Sequence, residues 1–186
     1  MEGTLPDSIV VTANRLEVDE RQTGRRVSVW TAEDIDALPV SSFDELLRTV
    51  GGVEVQSRGG FGEQSDLSIR GSTFNGVLVL LDGVPINDPM TQHFMADLPV
   101  PISEIARIEV LRGPASTLYG PDALGGVVQI FTHTGLAQIE RDAPSGGHVG
   151  AQGGSYGMRG LDGSVTYRTE RSVLNAAGSY RHANGM

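Results

Sequence analysis

Short strands and short helices alternate in the hydrophobic pattern of residues 27–135. Apolar and polar residues alternate over 27–30, which predicts a strand, and Thr31 is placed to cap a short helix over 31–38. Ser42 and Glu45 have the three-residue spacing of a capping box. The following helix carries apolar residues at i, i+3, i+4 and i+7, and Gly51 is expected to end it. The residues of this face are Phe43, Leu46, Leu47 and Val50.

Strands dominate the rest of this part of the chain. Residues 77–81 are apolar throughout, which predicts a strand inside a sheet, and Asp82-Gly83 predicts a tight turn after it. Further strands are predicted around 53–55, 67–69, 84–86, 105–110 and 127–132, with a short helix leading into that at 105–110. Together these elements predict an α+β domain, a small mixed sheet with short helices, that ends near residue 135.

A different pattern begins after residue 145. Small, apolar and aromatic residues alternate with mostly polar ones over 148–152, 161–168 and 174–181. This alternation is typical of transmembrane barrel strands, and a soluble antiparallel sheet produces it equally well. Three such strands cannot close a barrel, because both outer edges would stay unpaired.

The charge and composition restrict the possible functions. Residues 1–140 carry 20 acidic and 9 basic groups, whereas residues 141–186 carry 3 and 5, which indicates a boundary near 141. An acidic domain is a poor ligand for nucleic acid. The chain contains no cysteine and no lysine, which excludes thiolate metal sites, a Walker A loop and Schiff-base catalysis.

No catalytic or metal-binding pattern stands out. The four histidines are dispersed without metal-ligand spacing, and no G-x-S-x-G elbow occurs. We therefore expect no enzymatic activity, no metal and no cofactor.

Four stretches, in this order, resemble the TonB-dependent outer-membrane receptors. The first is the segment 7–13, which looks like a TonB box, and the second is Leu67-Ser68-Ile69-Arg70-Gly71. The third is Val79-Leu80-Leu81-Asp82-Gly83-Val84-Pro85, and the longest runs from Ile105-Ala106-Arg107-Ile108-Glu109-Val110-Leu111-Arg112-Gly113-Pro114 to residue 130. Each stretch is weak alone, but the order and spacing make the combination specific.

The resemblance implies a plug domain followed by the first antiparallel strands of an incomplete transmembrane β-barrel. Family members close a barrel of about 22 strands around the plug, so several hundred residues of such a receptor would lie outside this chain. The expected divisions are 1–26, a flexible arm with the TonB box; 27–135, the plug; 136–145, a linker; and 146–186, barrel strands. The alternative is a stand-alone periplasmic binding or signalling module.

The family resemblance also implies the partners and the location. The protein would lie in the outer membrane, with its arm in the periplasm, and would take up a scarce large nutrient of the cobalamin or ferric siderophore class. The layout most resembles cobalamin-receptor-like members. The C-terminal domain of TonB would capture the box by strand addition. The box residues are Asp7, Ser8, Ile9, Val10, Val11, Thr12 and Ala13.

Two arginines that precede glycines are implied to dock the plug on the barrel wall. Arg70 and Arg112 would meet barrel glutamates, with Glu109 in the same group, and the local alternative is a pair between Arg112 and Glu109.

Two loops are expected to meet the ligand, because their aromatic, methionine and amide groups suit a large amphipathic molecule. Ordinary packing of these side chains on the barrel wall is the alternative. The candidates are Arg58, Phe61, Gln64, Asn87, Met90, Gln92, His93 and Phe94.

Overall fold

The structure is a computed structural model, and it describes residues 10–11, 18–19, 26–40, 42–58, 64–95, 98, 100–139, 145–169 and 172–184. The strands are β1 (Val10–Val11), β2 (Val18–Asp19), β3 (Arg26–Thr31), β4 (Val53–Ser57), β5 (Gln64–Ile69), β6 (Val77–Leu81), β7 (Val84–Pro85), β8 (Phe94–Met95), β9 (Ile105–Arg112), β10 (Gly126–Thr132), β11 (Gly146–Gly153), β12 (Arg159–Arg168) and β13 (Val173–His182). The α-helices are α1 (Ala32–Asp36), α2 (Phe43–Thr49), α3 (Ser116–Tyr119) and α4 (His133–Ile139), and 3-10 turns lie at Phe74–Gly76, Ile102–Glu104 and Ser155–Gly157.

The predicted α+β domain is confirmed as a mixed five-stranded sheet with short helices. The strand order is β3-β9-β10-β6-β7, in which only the β10–β6 pair is parallel. Strands β4, β5 and β8 form a second, antiparallel sheet. The prediction that 77–81 lies inside a sheet is confirmed, because β6 has a partner on each side.

The two faces of the five-stranded sheet carry two hydrophobic clusters. Helix α2 packs the larger cluster against one face through Phe43, Leu46 and Leu47, as its periodicity predicts. The smaller cluster covers the other face and includes Val27 and Leu111. The main sheet of the domain is therefore covered on both sides.

Local signals set the ends of the helices. Thr31 caps α1 and exchanges hydrogen bonds with Asp34, and the Ser42 hydroxyl accepts from the Glu45 amide at the start of α2. Helix α2 ends at Thr49, and the left-handed residue after it is Gly52, not Gly51 as expected. Asp82 and Gly83 both have positive φ, which confirms the tight turn.

The C-terminal strands form an antiparallel meander in the order β11-β12-β13. Its exposed apolar side chains include Leu161, Val165 and Tyr180, and two polar residues of the alternation, Asp162 and Asn175, bond plug residues. Helix α4 covers 136–139 of the segment expected to be a linker, because the chain continues from β10 directly into that helix. None of the helices in the described part of the chain is long and apolar enough to cross a bilayer.

Candidate functional site

A carboxylate on β5, that of Asp66, brings together several of the predicted ligand candidates. The Arg58 side chain, which follows β4, donates to Asp66 Oδ2 from Nη2 at 2.7 Å and from Nε at 3.0 Å. His93 Nδ1 lies 2.6 Å from Asp66 Oδ1, so this nitrogen carries the proton in the bond. The His93 ring stacks on Phe74, with centroids 4.4 Å apart. We call Arg58, Asp66, Phe74 and His93 the Asp66 cluster.

Two opposing effects act on the Asp66 carboxyl. Burial raises its pKa, but hydrogen bonds from Arg58, His93 and Gln64 together with the Arg58 charge outweigh this and hold the pKa below its usual range. The carboxylate is thus ionised at neutral pH and fixes a cationic side chain and an imidazole side by side. Arg58 keeps 64% of its side-chain surface exposed, so part of its guanidinium remains open to solvent.

The neighbouring loop is held by its own polar side chains. The Asn87 amide accepts from the Val79 amide at 2.7 Å and donates to the Val77 carbonyl, which ties the loop to β6. Asp88 accepts from the amides of Met90 and Thr91, and backbone and hydroxyl donation by Thr91 lowers the pKa of this carboxyl most. Met90 stands at the tip with 92% of its surface exposed.

The structure places the predicted ligand candidates in different environments. Arg58, Gln64 and His93 meet at Asp66, Met90 is exposed, and Gln92 is half-buried with a φ of 61°. The side-chain amide of Asn87 is hydrogen-bonded to the backbone of β6. Phe94 is 2% exposed and packs on Phe43, so the prediction that Phe94 contacts the ligand is wrong. Phe61 lies outside the described residues.

Sequence reasoning missed Asp66 and Phe74. An acidic residue at a buried strand position was the available signal, because burial of a carboxylate demands partners.

The expected docking group does not assemble as one unit. Glu109 pairs with Arg107, whose Nε lies 3.1 Å from Glu109 Oε1, and Arg107 also lies over the Phe131 ring. Residues 109 and 112 are three apart on one strand, so their side chains point to opposite faces and the local pair with Arg112 is wrong. Arg112 instead donates to Ser28 Oγ and to the Gly51 carbonyl. Arg70 is exposed, and docking of Arg70 on a barrel wall stays a prediction.

A polar contact that the sequence did not reveal joins the plug to the meander. Ser103 Oγ donates to Asp162 Oδ2 at 2.7 Å, and Asn175 Nδ2 donates to Glu104 Oε2 at 3.0 Å. We call these four residues the seam. His148 Nε2 also lies 3.2 Å from Asp162 Oδ2.

Space for water borders the seam. Two cavities of about 240 and 280 Å³ adjoin it, and Asp36, Ser103 and His148 line both. The polar groups of these three shared residues can hydrogen-bond water in both cavities. The part of the chain that the structure describes contains no group of three or more His, Cys, Asp or Glu side chains that could hold a metal.

The Asp66 cluster should make the free energy of unfolding depend on pH in the acidic range. Because folding lowers the pKa of Asp66, its contribution is complete above the unfolded-state value near pH 4 and is lost as pH falls below it. Asp66→Asn should cost about 1–3 kcal/mol of unfolding free energy at pH 7, and this cost should shrink towards pH 2. Denaturant unfolding across this range measures it. Glu54→Gln, on the neighbouring strand, is the control, and a cost of Asp66→Asn that is independent of pH would contradict the assignment.

The seam should couple plug and meander energetically. Asn175→Ala removes the donor from Glu104, which is 2% exposed, and should lower the unfolding free energy by about 1–3 kcal/mol. A double-mutant cycle with Glu104→Gln should give a coupling energy above about 0.5 kcal/mol. Asn184→Ala, at an exposed site beyond β13, should have little effect. Additive effects of the Glu104 and Asn175 changes would show that the bond does not join the two parts.

Comparison with known proteins identifies the fold built by these residues. Residues 19–127 match the model of the TonB-dependent Receptor Plug Domain. The siderophore receptor PirA from Pseudomonas aeruginosa is 31% identical with a TM-score of 0.56, over 83% of this chain and 28% of that one. PirA from Acinetobacter baumannii is 29% identical with a TM-score of 0.63, over 93% and 26%.

A third receptor has a similar fold over nearly the whole of this chain. FpvA of Pseudomonas aeruginosa, in complex with a ferric pyoverdine, is 20% identical with a TM-score of 0.71, over 92% of this chain and 22% of that one. The chain thus spans about a quarter of the length of these receptors. Since the plug model covers more than half of the chain and the antiparallel strands after it follow the same fold, the chain belongs to the TonB-dependent receptors.

Proposed function

We propose that this chain serves an outer-membrane receptor that takes up a ferric siderophore with energy supplied through TonB. The supporting observation is the length of the match with siderophore receptors. The two PirA proteins, at 29–31% identity, match the chain over 83–93% of its length, through the plug and into the strands beyond it. Cobalamin is the competing ligand class, because the sequence layout resembles cobalamin receptors.

The Asp66 cluster suits the ligand side of this function. A ferric siderophore is a large molecule with aromatic or amide groups and oxygen donors around iron. An exposed guanidinium at Arg58, a stacked imidazole at His93 and an exposed thioether at Met90 offer charge, hydrogen bonding and a soft apolar contact to such a molecule. Phe94 would act from the core, by supporting β8.

The meander argues against a stand-alone periplasmic module. Its outward face exposes Val149, Leu161, Val165, Tyr167, Leu174 and Tyr180. A soluble module would leave this apolar patch in water, whereas a receptor would bury it in lipid.

Two residues of the proposed TonB box belong to a short antiparallel pair of strands. Val10 and Val11 form β1 and pair with Val18 and Asp19 of β2, and the other box residues lie outside the described ones. An extended backbone at β1 is the conformation that strand addition needs. The partner strand would replace β2 or add to the opposite edge of β1.

Growth rescue tests the ligand class. A strain without its own siderophore receptors, carrying the complete gene, should grow with ferric siderophores as the only iron source. A cobalamin-requiring strain without its own cobalamin receptor, carrying the same gene, should not grow on limiting cobalamin. Rescue only by cobalamin, or siderophore-dependent growth that persists in a strain without TonB, would contradict the proposal.

Titration with the C-terminal domain of TonB tests the box. Val10→Pro removes an amide donor and fixes φ, so it should weaken binding at least about tenfold by loss of main-chain hydrogen bonds. Gln22→Pro places the same residue outside the box and should bind like the wild type. Equal affinity of Val10→Pro and wild type would show that the box lies elsewhere.

A further inference from the structure

Strand β3 is the place where the N-terminal arm enters the plug. It follows the arm directly and, among the described residues, pairs on one side only, with β9. An edge strand held by a single ladder can separate from its sheet one hydrogen bond at a time. What fixes β3 therefore decides how firmly the arm is joined to the rest of the domain.

One side chain reaches from β9 to β3 and beyond it. Arg112, the last residue of β9, lies opposite Arg26 in the register. Its Nη2 donates to Ser28 Oγ at 2.5 Å and to the Gly51 carbonyl at 2.6 Å. Both hydrogens of this nitrogen are thus used, and one guanidinium connects β3, β9 and the turn between α2 and β4.

The turn is shaped to hold this guanidinium. Gly52 has a φ of +85°, and a Cβ at this residue would lie 2.7 Å from Arg112 Nε. Arg112 Nε is itself buried without a hydrogen-bond partner in the described part of the chain. The side chain is therefore confined by the glycine turn, and a lysine could not reproduce its planar geometry.

We propose that Arg112 is an internal tie that holds the edge strand β3 to the α2–β4 turn and so controls release of β3 from the plug. The tie is a property of the plug alone. A role in transport, in which these hydrogen bonds of Arg112 would be the first to break when TonB pulls on the arm, rests on the proposed function. The Nη1 donors are not used by the tie, so a barrel carboxylate could bind Arg112 at the same time.

Hydrogen exchange on the full chain tests the tie with two variants that leave Arg112 in place. Ser28→Ala removes one acceptor, and Gly52→Ala displaces the guanidinium through its Cβ. In both, the β3 amides should exchange about tenfold faster or more, as expected for loss of a charge-assisted bond. The sole tryptophan, Trp30, lies in β3 and should become more accessible to a fluorescence quencher.

Matched controls separate the tie from the general cost of each substitution. Gly83 has a φ of +82° with open space around its Cβ position, so Gly83→Ala carries the backbone strain of Gly52→Ala without the clash. Ser68→Ala removes a strand hydroxyl that bonds Glu54 in the other sheet. Both controls should leave β3 exchange unchanged.

Two results would overturn the tie: unchanged β3 exchange in Ser28→Ala and Gly52→Ala, or equal acceleration in their controls. The force-bearing role has a separate readout. If exchange confirms the tie but the TonB domain binds neither wild type nor Gln22→Pro, the tie stands and the proposed function fails.

Discussion

The fold depends on β9, which is paired on both sides and buried on both faces. All residues from Ile105 to Leu111 are buried, including the charged residues Arg107 and Glu109. The buried guanidinium of Arg107 and carboxylate of Glu109 form a salt bridge, with Arg107 Nε 3.1 Å from Glu109 Oε1, and Arg107 also lies over the Phe131 ring. This pair sits on the same strand that carries Arg112, so the register of β9 against β3 and β10 sets the positions of both arginines.

Polar contacts at strand ends then place the functional features around this sheet. The Asp82 carboxylate, in the turn after β6, accepts from the amide and hydroxyl of Thr132 at the end of β10. The Thr132 hydroxyl in turn accepts from the Gly135 amide at the start of α4. The Leu-Asp-Gly motif therefore does more than turn the chain, because its aspartate fixes the helix that leads towards the meander.

The Asp66 cluster, the Arg112 tie and the seam share one physical design. In each, a polar or charged side chain with low exposure bonds a partner from another element of the fold. Such contacts cost little to break when water or another partner replaces the lost bond.

The sequence by itself determined the parts that depend on neighbours along the chain. The periodicity of 43–50, the caps at Thr31 and Ser42, the Asp82-Gly83 turn and the alternation of 161–181 are local properties, and each predicted its element. The order of the motifs identified the family for the same reason, since the motifs mark turns and strand ends of the plug.

Only the tertiary structure decided which side chains meet. His93 contacts Asp66, which is 27 residues away in the sequence. The sequence separation is 71 residues for Asn175 and Glu104, and 84 for Arg112 and Ser28. Phe94 was predicted as a ligand contact because its loop combines aromatic, methionine and amide groups, but in the structure β8 pairs with β5 and Phe94 is buried in the core. The periodicity of hydrophobic residues shows which face of an element is buried. Which residues lie opposite that face is determined by sheet register and strand order.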